Sequence, residues 1–173
     1  NSIEYGESTK VYDFSRNGNN GTFAGNANVS EPGTYGNSLG LDGTGDYVTA
    51  SDSEFPLGSS SRTISALVKW DGTTSRRMFI GYGSNANSQA YGYRIGNTGT
   101  GKVEFIGYNA GDGSTLFTMV ADTWTHLVST YDGTNVRTYV DSSLVSTQTL
   151  SLNTVSSSGF RIGWGYDNNA ATF

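Results

Sequence analysis

The chain contains no cysteine. Disulfides, thiolate metal centres and thiol nucleophiles are excluded together, so stability has to come from packing. It has 2 prolines and 1 histidine in 173 residues. A histidine-based metal cluster or a Ser-His-Asp triad would therefore have to recruit distant partners around His126. Charge is sparse as well: 14% of residues are charged, the net charge is −5, and the basic residues are scattered. Such a chain offers no electrostatic footprint for nucleic acid or for an anionic membrane surface. No apolar run approaches the ~18 residues of a membrane span, so membrane insertion through a helix is not expected. The sequence opens at Asn1, without an initiator methionine or a charged-then-apolar leader, which reads as a processed product or an excerpt.

What is present points to short strands and many turns. The chain carries 24 glycines, 13% aromatic residues and 35% hydrophobic residues, enough for one domain with a substantial core. Residues 1–173 are read as that single domain, with 1–10 as an N-terminal lead or edge strand. The signal is clearest from Trp124 to Asp141, where two β-branched, aromatic-rich segments flank Asp132-Gly133, the pair that supplies positive φ to a tight hairpin. The same pattern predicts strands at Lys10–Phe14, Leu39–Leu41, Tyr47–Ala50, Arg62–Lys69, Arg77–Tyr82, Ala90–Ile95, Lys102–Tyr108, Leu116–Met119, Thr125–Tyr131, Val136–Val140, Leu144–Leu150 and Gly159–Gly163. No helical periodicity is sustained; one turn within Ser51–Ser61, capped by Asp52 or Ser53, is the most that is expected. Arg62–Lys69 and Trp124–Tyr131 carry apolar residues on both faces, which predicts central strands in two stacked sheets.

An ordered set of motifs then narrows the fold. It comprises Asp13-Phe14-Ser15-Arg16-Asn17-Gly18, Gly40-Leu41-Asp42-Gly43-Thr44-Gly45-Asp46-Tyr47-Val48, Thr63-Ile64-Ser65-Ala66-Leu67-Val68-Lys69, Trp124-Thr125-His126, Tyr131-Asp132-Gly133, Tyr139-Val140-Asp141 and Ile162-Gly163. In their order and spacing the chain resembles the laminin G-like, concanavalin A-like lectin/glucanase superfamily from about Tyr12 to Phe173. The resemblance implies an all-β, antiparallel jelly-roll sandwich, frequently calcium-binding. It also implies a module of secreted, cell-surface or virion proteins that binds glycan or a surface protein. Two departures stand out. Family members carry glycine after the aspartate of the second hairpin, whereas Asp141 is followed by Ser142, where a left-handed residue costs on the order of 1 kcal/mol. The family pattern also continues past Phe173 into a further strand, so an open sheet edge is expected. It would be filled by Asn1–Lys10, by a strand donated from a neighbouring chain, or by a segment outside this sequence.

The superfamily's glucanases use two carboxylates projected from one strand, about 5 Å apart in retaining enzymes. Here Glu4 and Glu7 lie in the lead, Glu31 and Glu54 in loops, and Glu104 alone in its strand, so no catalytic residue is assigned. His126 is read as a core histidine, and Asp132 and Asp141 as turn caps. Calcium needs converging oxygen ligands; the resemblance, to domains that often place a cation at the sandwich rim, makes Asp112 and Asp167 the first choices, with the Asp13, Asn17, Asn19 and Asn20 loop behind them. Sugar rings are recognised by aromatic faces with amides fixing the hydroxyls. Tyr82, Asn85, Tyr91, Tyr93, Tyr108, Trp164 and Tyr166 are the expected ligand-binding set. The leading expectation is a non-catalytic binding module; the alternatives are a structural or decoration subunit that exchanges a strand at its open edge, and a glycoside hydrolase.

Overall fold

Strict alternation along Trp124–Tyr131 sets the architecture: Thr125, Leu127, Ser129 and Tyr131 are buried while the residues between them are half-exposed. This is what a strand with one face on a core must do. The computed structural model describes residues 9–73, 76–96, 100–157 and 159–163. Its strands are β1 (Lys10–Val11), β2 (Gly21–Ala24), β3 (Asn28–Gly33), β4 (Gly36–Gly40), β5 (Tyr47–Ala50), β6 (Arg62–Lys69), β7 (Arg77–Gly83), β8 (Ala90–Ile95), β9 (Lys102–Ile106), β10 (Thr115–Thr118), β11 (Trp124–Tyr131), β12 (Asn135–Val140), β13 (Ser143–Thr149) and β14 (Phe160–Ile162). The described residues contain no helix; the segment expected to hold one turn is closed by the Phe55 N–H on the Asp52 carbonyl at 3.0 Å.

The strands form an antiparallel jelly-roll sandwich. One sheet has the order β1-β2-β5-β14-β7-β8-β9-β10, the other β13-β12-β11-β6, and β3-β4 stands apart as a hairpin. β2 and β3 were not expected from sequence, because glycine, asparagine and Pro32 interrupt their pattern. β6 corrects another expectation. Among the described residues it pairs with β11 alone, and the apolar residue on its outer face, Leu67, is 42% exposed there.

The two sheets meet through aromatic rings with polar tips. Phe105 lies edge-on to Tyr91 and Tyr93, at centroid distances of 5.3 and 5.5 Å. The tyrosine hydroxyls cross the core to the other sheet: Tyr91 shares a hydrogen bond with Ser129 (2.6 Å) and Tyr93 with Thr138 (2.7 Å). Burying Ser and Thr on β11 and β12 is tolerable only because these phenols satisfy them. Arg62 is handled the same way, donating to the carbonyls of Pro56, Gly58 and Ser60 while its guanidinium lies over the rings of Tyr91 and Tyr131, 5.2 Å from each centroid. The β12–β13 connection is Asp141-Ser142 with φ of 46° and 71°. Both central residues are left-handed, as a two-residue hairpin of matching twist requires, so the missing glycine leaves the turn in place at an energetic cost.

Candidate functional site

The core claims much of the expected binding set. Tyr91 and Tyr93 are 0% exposed and Tyr82 is 2% exposed. The assignment of these three tyrosines to ligand contact is therefore corrected: alternate strand residues point inward, and their rings build the inter-sheet packing. Desolvation raises the Tyr91 phenol above the range where it ionises and pushes Tyr93 up to about 12, so both stay neutral donors and acceptors. Trp164, Tyr166 and Asp167 lie outside the described residues. His126 is likewise not in the core; it is half-exposed on the outer face of β11, with its Nε2 in a 3.0 Å hydrogen bond with Ser65 Oγ.

Asn85 and Tyr108 do come together, at one pole of the sandwich. The β7–β8 turn, residues 84–89, and the loop after β9, residues 107–113, are tied there by the Ser88 N–H donating to the Tyr108 carbonyl at 2.8 Å. Asn109 Nδ2 donates to Asn87 Oδ1 at 2.7 Å, and the Asn153 N–H donates to the Ser88 carbonyl at 2.7 Å. Asn85, Asn87, Asn109 and Asn153 are all exposed, around a half-buried Tyr108. The sequence offered Asn87 and Asn109 only as neighbours of tyrosines, and Asn153 lacked any local signal because it reaches this rim through the fold.

The rim is strained. Ser88, Tyr108 and Asn109 have φ of 62°, 59° and 55°. A bulky residue such as tyrosine rarely enters the left-handed region, and each such residue costs of order 1–3 kcal/mol. Asp112 holds the loop in this shape: its carboxylate accepts from the Gly107 N–H at 3.0 Å and from the N–H groups of Asn109 and Tyr108. Burial nevertheless raises its pKa above the ordinary carboxylate value, since desolvation outweighs those bonds. The Asp13 carboxylate is similarly engaged, by Ser15 and by the Asn19 N–H. Among the described residues no three acidic or histidine side chains converge as a metal site. The described glutamates form no facing pair either: Glu104 is buried against Arg94 at 2.9 Å, Glu31 lies on β3, and Glu54 lies in the 51–61 segment.

A second feature was not foreseen in position. An open cleft of about 760 Å³ runs between the β3–β4 hairpin and β6, over a floor that includes Phe79, Ile80 and Ile162.

Comparison with known proteins agrees with this architecture. A model of the concanavalin A-like lectin/glucanases superfamily matches residues 42–173. The chain belongs to that superfamily. No curated protein sequence matches this superfamily domain significantly. Among solved structures it resembles domain 4 of AbnA, a GH43 extracellular arabinanase from Geobacillus stearothermophilus solved with arabinotriose, at a TM-score of 0.66 and 18% identity over 88% of this chain and 77% of that one. It also resembles a Bacteroides ovatus protein assigned to carbohydrate binding (TM-score 0.56, 18% identity, 87% of this chain, 40% of that one). A third likeness is to the receptor-binding domain of botulinum neurotoxin mosaic serotype C/D, solved with tetraethylene glycol on its Hcn sub-domain (TM-score 0.59, 13% identity, 94% of this chain, 44% of that one). At these identities the likeness establishes the shared sandwich.

Proposed function

We propose that this domain is a non-catalytic carbohydrate-binding module of an extracellular, cell-surface or virion protein, and that its sugar site is the rim built by residues 84–89, 107–113 and 153. One observation carries the reading: left-handed Tyr108 and Asn109 are locked against left-handed Ser88, and the strain presents exposed amides around an aromatic ring. Backbone strain of this kind persists where a site needs a fixed shape. Amides both donate and accept, which suits sugar hydroxyls, and the aromatic face suits the apolar side of the ring. The loops at 84–89, 107–113 and 151–155 contain no Lys or Arg, and their one acid, Asp112, is turned to main-chain N–H groups. Neutral sugars are therefore the class that matches. Arabinotriose in complex with domain 4 of the arabinanase supports the reading by analogy of fold.

The test is a glycan array that includes arabino-oligosaccharides alongside sialylated and sulfated glycans. Specific binding to neutral glycans is expected, with Tyr108→Ala losing at least about tenfold in affinity, roughly 1.4 kcal/mol. Each measurement is repeated with EDTA, because calcium is expected from the family resemblance. A blank array, or binding indifferent to Tyr108→Ala and Asn109→Ala, would remove the rim from consideration. A second reading, use of the fold in assembly, draws on β6, which pairs with β11 alone among the described residues.

A further inference from the structure

The corner between β1 and β2 carries chemistry of its own. The chain has two Asn-Gly pairs, Asn17-Gly18 and Asn20-Gly21, and both lie there. An asparagine before glycine can react internally, because the glycine nitrogen reaches the asparagine Cγ with no Cβ in the way. The fold treats the two pairs differently.

Asn20 is tied down. Its Oδ1 accepts the Asp13 N–H at 2.9 Å, and Gly21 is buried at the start of β2, opposite Val11 of β1. A Cβ placed on Gly21 would sit 2.7 Å from Val48 Cγ1, so the chain has little room to turn at that point. Asn17 is the reverse case. It is exposed, and among the described residues it bonds only through its N–H, to Ser15 Oγ at a long 3.3 Å. Gly18 is exposed at φ 76°, and a Cβ added to it would meet nothing within 4 Å. Ring closure needs that freedom, since the peptide plane must rotate until its nitrogen faces Cγ at near-contact distance.

The geometry points to Asn17 as a self-modification site, at which the side-chain amide cyclises onto the Gly18 nitrogen and reopens as a carboxylate. The Gly18 nitrogen bonds to Asn17 Cγ and the Cγ–Nδ2 bond breaks. Its proton passes through solvent to the departing group, which leaves as ammonia. Water then opens the cyclic imide: cleavage at Cγ restores the normal chain as an aspartyl residue, and cleavage at the main-chain carbonyl leaves an isoaspartyl residue whose backbone runs through Cβ and Cγ. Nothing is oxidised or reduced; the net change is one side-chain NH2 exchanged for OH.

The consequence falls on Asp13. Its carboxylate accepts the Ser15 N–H at 2.7 Å, the Ser15 hydroxyl at 2.8 Å and the Asn19 N–H at 2.9 Å, and these bonds hold it below the usual carboxylate range, the Ser15 hydroxyl first. The Gly18 N–H is the weakest of the contacts that lower it, so the attacking nitrogen is the least firmly held. Ser15 and Asn19 therefore grip one carboxylate from both sides of Asn17. An isoaspartyl residue lengthens the backbone between them, so the two N–H groups lose their common acceptor and the bond from Asp13 to Asn20 that closes the corner loosens with them. This device is independent of the sugar rim.

The test holds the purified chain in mildly alkaline buffer and follows each asparagine by peptide mass spectrometry with fragment-ion localisation, counting isoaspartyl residues by enzymatic methylation. Asn17 is expected to convert while Asn20 stays an amide; in urea, with the fold removed, both pairs should convert at comparable rates. Asn17→Gln should slow conversion in this loop at least about tenfold, because a larger ring closes less readily. Hydrogen exchange on the isolated isoaspartyl form should show protection lost at Ser15, Asn19 and the β1 amides. Asn17→Asp, which adds the charge without lengthening the chain, should keep that protection. Equal conversion of Asn17 and Asn20 in the folded chain, or an intact Asn17 after the unfolded chain has reacted, would overturn the site. Unchanged protection in the isoaspartyl form would overturn the loosening of the corner.

Discussion

Asp132 and Asp112 close two loops by the same kind of bond, yet their acidities move in opposite directions. Asp132, in the β11–β12 turn, accepts from the Asn135 and Thr134 N–H groups and from Arg137, and these hold its carboxyl well below the usual range, the Asn135 bond first. Asp112, in the rim, gathers backbone N–H groups as well, but desolvation dominates and its carboxyl is raised. The hairpin turn uses Gly133 where positive φ is needed (97°), whereas the rim forces Tyr108 and Asn109 into the same region. The hairpin is thus relaxed at every level, while the rim carries burial and backbone cost together. That contrast sets the rim apart from this hairpin, although the β12–β13 turn also holds Asp141 and Ser142 left-handed, without a buried carboxylate beside them.

Three measurements would sharpen the contrast or break it. The largest effect is expected from Asp112→Ala, which removes the acceptor shared by Gly107, Tyr108 and Asn109 and should lower stability by about 1–3 kcal/mol in urea unfolding, with sugar affinity lost as well. If stability falls and sugar binding survives, the rim is scaffold too. Next, Asn109→Gly relieves a left-handed residue and should stabilise the domain by up to about 1 kcal/mol while weakening glycan binding. A destabilised Gly variant would mean that the Asn109 side chain outweighs its backbone strain.

The smallest effect is the pH response. A depressed folded-state pKa makes Asp132 stabilising above the ordinary value near 3.9, and this contribution disappears as pH falls through the folded value. The difference between the native chain and Asp132→Asn should therefore shrink on acidification below about pH 4. Asp112 has the opposite sign: its raised value makes protonation favour the folded state, a contribution present in acid and lost as pH rises through the folded value. For Asp112→Asn the drift runs the other way and falls above about pH 4, where the native chain should lose its advantage over the variant as pH rises. Parallel drifts in the two variants would refute the assigned difference in burial.

Strands were legible wherever β-branched and aromatic residues alternate between turn residues; Tyr47–Ala50, Arg62–Lys69 and Ala90–Ile95 were located to the residue. β2 and β3 escaped because Gly, Asn and Pro there have no strand preference of their own, and pairing with β5 and β4 creates the strand. The rim was half legible. Asn85 and Tyr108 could be chosen by residue type, but Tyr91 and Tyr93 could not be told from them, since a tyrosine that stacks on a ligand and one that bridges two sheets look alike in a strand.

The amino-acid sequence by itself determined the all-β class, the hairpin from Trp124 to Val140 and the superfamily resemblance, because period-2 patterning and turn chemistry are local. Tertiary structure decided which face each tyrosine takes, which loops share a pole and which strand is left at an edge. Those are outcomes of sheet order and register, and a one-residue change of register sends every side chain of a strand to the other face.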